Sequence, residues 1–180
     1  MPSWNLKGLR GSVLEELVNH TNEKYRSQNL ALVQKIPTSI KPVRFDKEKR
    51  HITLAYFDQK STVDYIGVVQ GIPICFDAKE CAADVFPLQN IHAHQIEFMR
   101  QFEEQGGISF LLLYFTNRQA CYFMTFEEVM EFWERGKQGG PKHFKYEELD
   151  IGYFVSLKKG GILHYLESLQ KYLLQKQKEH

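Results

Sequence analysis

Two partly apolar runs, Asp64–Val69 and Ile72–Lys79, flank the dipeptide Gln70-Gly71. Glycine tolerates the positive φ of a tight two-residue turn, so the segment reads as a β-hairpin. If Val69 faces Ile72, counting outward pairs residue 66 with 75 and then Asp64 with Asp77. Period-two alternation puts Ile72, Ile74, Phe76 and Ala78 on a core-facing side, and Cys75, Asp77 and Lys79 together on the other. Starting from a hydrogen-bonded 69–72 pair, the two acids fall in a non-hydrogen-bonded pair, with Cα atoms about 4.5 Å apart. Pro73 directs its missing N–H away from the hairpin partner.

The rest of the chain alternates helical and strand patterns. Ser12-Val-Leu-Glu15 has the form of a capping box, and Val13, Leu14, Leu17 and Val18 form the stripe of a helix running to about Tyr25. Residues 31–36 read as a strand. Pro37 and Pro42 then bar a central strand or regular helix, and residues 43–57 alternate only in part. A helix is expected over Asn90–Gln105, carrying Ile91, His94, Ile96, Phe98 and Met99 and stopping at Gly106-Gly107. Residues 108–115 are almost wholly apolar, as in a strand buried on both faces. A strand over 120–125, a helix over 127–135, a loop over 136–140 and an amphipathic helix over 161–175 follow. The order of elements predicts an α/β sandwich around a mixed sheet, without internal repeats or low-complexity segments.

With 180 residues, 43% of them hydrophobic, the chain suits a single compact domain. No apolar run is long enough for a bilayer and no charged-then-apolar leader opens the chain, so a soluble protein that is not exported is expected. The three cysteines, Cys75, Cys81 and Cys121, lack metal-ligand spacing and suit a reducing cytoplasm. Residues 1–60 hold 11 Lys/Arg against 6 Asp/Glu and residues 151–180 hold 5 against 2, so basic ends flank an acidic middle. That arrangement fits a protein that grips phosphates with its ends and holds metal at its centre, and also fits ordinary variation on a solvated surface. Lys41, Arg44, Lys47, Lys49 and Arg50 cluster within residues 37–60, which read as a basic, ribbon-like projection. The first ten residues, with Lys7 and Arg10, read as a basic arm.

The acid pair carries the candidate chemistry. Like charges directly opposite each other destabilise a sheet, so Asp64 and Asp77 call for a cation between them or a raised pKa, and a divalent metal is the simplest resolution. Lys79 points at the same place. Asp64, followed thirteen residues on by Asp77-Ala78-Lys79, is similar to the pattern of the PD-(D/E)xK nucleases. Acid-x-Lys alone recurs in many charged strands, and further blocks give it weight. These are Leu14-Glu15 with Asn19 and Thr21-Asn22; Lys35-x-Pro37-Thr38; Ala55-Tyr56-Phe57; Ser61-Thr62-x-Asp64-Tyr65-x-Gly67-Val68; Phe76-x-Ala78-Lys79-Glu80; and Phe86-Pro87-Leu88-x-Asn90-x-His92-Ala93-His94-Gln95-Ile96. In this order, over roughly residues 8–140, they resemble the RecU Holliday junction resolvases, a branch of that superfamily.

The resemblance implies a restriction-endonuclease-like fold and a nuclease that resolves four-way DNA junctions by paired nicking in recombination and repair. It implies Asp64 and Asp77 as metal-binding acids, with the Ala78 carbonyl as a third ligand, Lys79 as the active-site lysine and Glu15 as the acid of the first helix. Gln95 is the polar residue presented by the helix after the hairpin. The metal implied is Mg²⁺, with Mn²⁺ as a substitute. Residues 37–60 resemble the family's stalk. Its cations, together with Arg10 and Lys35, are the expected DNA contacts. The implied assembly is a homodimer on junction DNA, with a recombinase as a further partner, in the cytoplasm at the nucleoid. His92 and His94 suit capping, packing or phosphate contact rather than catalysis. Asp77 stands where the family often has Glu, Val63 where Thr is common, and the N-terminal arm is short beside that of some members. A non-catalytic junction-binding protein would have no need of the intact acid set. The Pro37-Thr38 and His-Ala-His-Gln strings argue against another nuclease of the superfamily.

Overall fold

The computed structural model describes residues 12–57, 62–158 and 160–179. In chain order the elements are α1 (Val13–Ser27), β1 (Leu32–Lys35), β2 (Ile40–Asp46), β3 (His51–Phe57), β4 (Tyr65–Val69), β5 (Ile72–Cys81) and β6 (Val85–Pro87). They continue as α2 (Ala93–Glu104), β7 (Ile108–Phe115), β8 (Ala120–Thr125), α3 (Phe126–Lys137), β9 (His143–Lys145), β10 (Phe154–Val155), β11 (Leu157–Lys158), β12 (Ile162–Leu163) and α4 (Tyr165–Glu179). Six strands form one mixed sheet in the order β1-β4-β5-β7-β8-β10, in which β5 and β7 run parallel and every other pair is antiparallel. The expected mixed α/β sheet flanked by helices is the fold observed. Strand β7 is buried along nearly its whole length, as its continuous apolar run requires.

Both faces of the sheet are covered. On one, Tyr65, Phe76, Phe110 and Phe123 stack across four strands with successive ring centroids 4.8, 4.7 and 4.3 Å apart. Tyr165 of α4 lies over this row. Polar residues of helix α1 tie it on that side to β4, to β12 and to α4. Asn19 Oδ1 accepts the Tyr65 hydroxyl at 3.0 Å, Asn22 Oδ1 that of Tyr165 at 2.6 Å, and Thr21 Oγ1 the Leu163 N–H at 3.0 Å. Thr21 and Asn22 are buried, and polar groups are stable in a core only when paired.

The other face corrects an expectation. Cys75 and Asp77 are as fully buried as Ile74 and Phe76, because α2 closes over them with Gln95, Ile96 and Met99. β5 is a central strand in a sheet covered on both faces, so period-two alternation separates two buried sides rather than core from solvent. Helix α3 packs on this same side, where Tyr122 donates to Glu128.

Element ends follow local chemistry. Ser12 Oγ caps α1 by accepting the Glu15 N–H at 3.1 Å, and Asn29 ends the turn after it at φ 54°. The expected helix over 90–105 begins instead at Ala93, after a 3₁₀ turn over Leu88–Asn90. Residues 162–163, expected to be helical, pair with β11 in a short hairpin, and positive φ at Gly160 and Gly161 permits its turn. Within the expected projection, whose residues 58–60 lie outside the described residues, β2 and β3 form a two-stranded ribbon and among the described residues pair only with each other. Ile40 through Phe45 and most of β3 are exposed.

The aromatic row sets a stability prediction. Phe110→Ala removes the ring at its centre and is expected to cost about 3–5 kcal/mol in urea denaturation. Ile151→Ala, at a side chain 87% exposed, is expected to change stability by less than about 0.5 kcal/mol.

Candidate active site

The hairpin has the register that counting predicts. Val69 faces Ile72 and the ladder continues to Tyr65 opposite Phe76, so the next residues outward are Asp64 and Asp77. Gln70 and Gly71 both take positive φ, 47° and 91°, the conformation that lets a two-residue turn follow the twist of its strands. Pro73 precedes the parallel pairing with β7, which begins at Ile74, so its missing N–H costs no bond there.

β4 ends at Tyr65, and beyond it the carboxylates take over the pairing. The Asp64 N–H donates to Asp77 Oδ1 and the Ala78 N–H donates to Asp64 Oδ2, both at 3.0 Å. Each acid is thereby bound to the other's strand. The Asp64 carbonyl accepts the Ile36 N–H at 2.8 Å, which ties the start of the hairpin to the end of β1.

Asp77 Oδ2 takes two further donors, Lys79 Nζ at 2.5 Å and Gln95 Nε2 at 2.8 Å. Gln95 cannot turn over without losing both of its contacts, because its Oε1 accepts the His92 N–H at 3.1 Å. The carboxamide therefore presents an N–H to the acid, and the backbone at the α2 N-terminus holds it there. His92 is the N-cap residue of α2, with its ring stacked on His94, in keeping with a capping and packing role.

Charge is unevenly shared in this group. Lys79 lies on Asp77 and offsets it directly. Asp64 forms no ion pair among the described residues, and burial, followed by the Asp77 charge, outweighs the nearby Lys79 and pushes its carboxyl up to about 6, against an ordinary 3.8. The pair is one positive charge short, and its free capacity consists of hard oxygen donors, which suit a divalent cation such as Mg²⁺. The Ala78 carbonyl fits the same purpose, since a strand residue sends its N–H and C=O to one edge and the Ala78 N–H already meets Asp64.

Glu15 stands outside this group. Among the described residues no three His, Cys, Asp or Glu side chains are gathered as a metal site, so the three acids do not form one cluster. The Glu15 carboxylate is bound by Lys35 Nζ at 2.6 Å, a contact 20 residues away in sequence that neither the capping nor the catalytic reading anticipates. Lys35, expected among the DNA contacts, is thus engaged within the protein. Lys41, Arg44, Lys47, Lys49 and Arg50 are exposed on β2 and its turn, and Arg10 lies outside the described residues.

One positioning contact is absent from the sequence reading. Glu80 Oε1 accepts the Leu14 N–H at 2.7 Å, so the acid strand itself caps the first turn of α1, beside Glu15. The available signal was a carboxylate two residues beyond Ala78 in a strand, on the side that α1 covers.

Residues 9–171 match the family described as Recombination protein U, RecU. The chain is 39% identical over 169 residues to the Holliday junction resolvase RecU of Geobacillus sp. (strain WCH70), covering 91% of this chain and 84% of that protein. It is 35% identical over 180 residues to the Holliday junction resolvase RecU of Limosilactobacillus reuteri (strain DSM 20016), covering 97% and 88%. Among solved structures, the Holliday junction resolvase Hjc of Archaeoglobus fulgidus aligns at a TM-score of 0.37 and 10% identity, over 61% of this chain and 77% of that one, a likeness that adds nothing to the assignment. The matched span takes in α1, the basic ribbon, the acid hairpin with its lysine and the helix that brings Gln95 to Asp77, and on that span the chain belongs to the RecU family.

Proposed function

We propose that this chain is a structure-selective endodeoxyribonuclease that resolves four-way DNA junctions by paired, metal-dependent nicking during recombination and repair. One observation carries the reading: a carboxylate pair, held in register by a hairpin, in which the buried Asp77 is met by Lys79 and the half-buried Asp64 forms no ion pair among the described residues. The family relationship supports it, since the relatives are named Holliday junction resolvases.

Asp64, Asp77 and the Ala78 carbonyl would hold Mg²⁺ or Mn²⁺. Bound there, the ion supplies neutralisation of the pair, polarisation of the scissile phosphate and a lowered pKa for attacking water. Lys79 offsets the charge that accumulates on the phosphate as it is attacked. Gln95 keeps the Asp77 carboxylate in its orientation and, being an amide, takes up no proton. A DNA phosphate that drew the Lys35 ammonium away would leave the Glu15 carboxylate free to accept from a water beside the acid pair.

The ribbon residues Lys41, Arg44, Lys47, Lys49 and Arg50 bind backbone phosphates, contacts that position a protein by shape and not by sequence. In this reading residues 37–60 are a stalk-like insertion in a single nuclease domain. A four-way junction has two-fold symmetry, so a homodimer of C2 symmetry presents one site to each of two opposed strands. Exposed apolar side chains suit a second copy as their cover. Leu32, Ile66 and Val68 share one face at the β1 edge, and Phe45, Ile52, Leu54 and Tyr56 share one face of the ribbon. No described helix is long and apolar enough to cross a membrane, and action on junction DNA in the cytoplasm at the nucleoid, with a recombinase as a further partner, fits the reading.

The direct test is cleavage of a synthetic mobile four-way junction against linear duplex of the same sequence, with and without Mg²⁺. Paired nicks in the junction alone are expected, with at least about a hundredfold loss in Asp64→Asn and Asp77→Asn while junction binding stays within about threefold. Tight binding without nicks would make the protein an accessory binder, and indiscriminate duplex cutting would make it a different nuclease.

The raised Asp64 pKa sets a pH dependence. The folded protein holds a proton on Asp64 through a range in which the unfolded chain has released it. Metal-free stability therefore falls as pH rises from about 4 to about 6, and the cost stays in place above that. Asp64→Asn is expected to stabilise the metal-free protein by about 1–2 kcal/mol at pH 8 and to leave it unchanged at pH 4, with Mg²⁺ raising the wild-type melting temperature more at pH 8 than at pH 5. A mutant no more stable than wild type at pH 8 would contradict this account of the pair.

Replacing Lys47, Lys49 and Arg50 by alanine is expected to weaken junction binding and to reduce the slope of log affinity against log salt by about 2–3. An unchanged slope would remove the ribbon from the DNA interface.

A further inference from the structure

Behind the α2 N-terminus lies a hollow of about 680 Å³ that plays no part in the mechanism above. Its apolar wall is Val85, Pro87 and Leu88, from β6 and the 3₁₀ turn that follows, and the half-buried indole of Trp133 on α3 forms another side. The rim carries Lys137, Lys142 and His143, and among the described residues no carboxylate lines the hollow. Glu134, which meets Lys137 at 3.0 Å, lies outside the lining.

Backbone contacts hold these walls together. Pro87 pairs with His143 at the end of the β6–β9 ladder, the Leu88 N–H donates to the Lys142 carbonyl at 3.0 Å, and Arg135 donates to the His143 carbonyl at 2.7 Å. Buried Gly136 permits the close approach, because a Cβ there would stand 3.1 Å from Leu88 Cδ1. The volume lies within the range of small-ligand sites.

We infer that this hollow is a nucleotide-binding site that takes an unpaired base of the DNA substrate against Trp133, with the adjoining phosphates on Lys137, Lys142 and His143. Every base offers a π-face to an indole, and cations beside the ring meet the backbone that accompanies it. The Gln89 carboxamide, which also lines the hollow, supplies both a donor and an acceptor for a base edge. An acidic peptide would satisfy the cations, but the flat indole and the carboxamide favour a base. Gln89 lies three residues before His92, whose N–H holds Gln95 against Asp77, so an occupant would sit at the start of the segment that orients the catalytic acid. The inference deepens the nuclease reading by naming where single-stranded character at a junction is sensed.

The chain has two tryptophans, Trp4 and Trp133, so fluorescence of the full chain carrying Trp4→Phe reports on the hollow. Saturable quenching by the oligonucleotide dT6 is expected, with affinity at least fivefold higher than for its abasic counterpart at equal salt and at least fivefold lower in Lys142→Glu. Anisotropy of labelled dT6 is expected to show binding kept in Trp133→Phe and weakened in Trp133→Ala. Absence of quenching, equal quenching by the abasic strand, or saturable quenching by a Glu-rich peptide in place of dT6 would overturn the inference. Junction cleavage measured on the same Trp4→Phe protein separates the two readings. Cleavage without quenching removes only the nucleotide site, whereas base-dependent quenching without cleavage upholds the site and removes the resolvase.

Discussion

The fold depends on placing two carboxylates side by side, one buried and one half-buried, without neutralising both. Hairpin register brings Asp64 opposite Asp77, and α2 then closes over Asp77 while Asp64 stays half-buried, so water relieves the repulsion only in part. Three hydrogen-bond donors and one ammonium stand where solvent would otherwise be, and all but the Ala78 N–H serve Asp77. The imbalance leaves Asp64 as the acid whose proton affinity rises. The oxygen donors of such a pair are of the kind that suits a divalent cation.

Around that group the secondary structure works as a set of braces. β5 carries Asp77 and Lys79 toward α2 and, from its other side, caps α1 with Glu80. α1 is further held by Asn19 and Asn22 to the tyrosines of β4 and α4, and it brings Glu15 to Lys35 at the end of β1. Movement of α1 would be felt at β5 through a single hydrogen bond. The aromatic row beneath, from Tyr65 to Phe123, ties the four strands into one rigid floor.

The ribbon follows a different rule. Among the described residues its strands pair only with each other and expose side chains on both faces, so its form rests on the hairpin ladder and on the Asp46 carboxylate, which accepts the Glu48 and Lys49 N–H groups in the turn. Two prolines and five cations are compatible with that exposure and with little else. Of the three departures the resemblance implies, those at Val63 and Asp77 fall in the body, and the N-terminal arm lies outside the described residues. Val63 is fully buried, and the shorter Asp77 still reaches the Asp64 N–H, Lys79 and Gln95.

Local chemistry in the sequence determined most elements, because apolar period, cap residues and glycine placement act within a few residues of one another. It also determined the match of Asp64 with Asp77, since a two-residue turn leaves only one way to count outward along the strands. The family could be read from the same blocks. Tertiary structure alone decided that the acid face is buried, because that depends on where α2 crosses the sheet, and that Glu15 meets Lys35 instead of the acid pair. It decided the orientation of Gln95, fixed by a backbone N–H three residues back and a carboxylate 18 residues away. Contacts of this second kind join segments whose distance apart is set by packing, and no period or spacing along the chain encodes it.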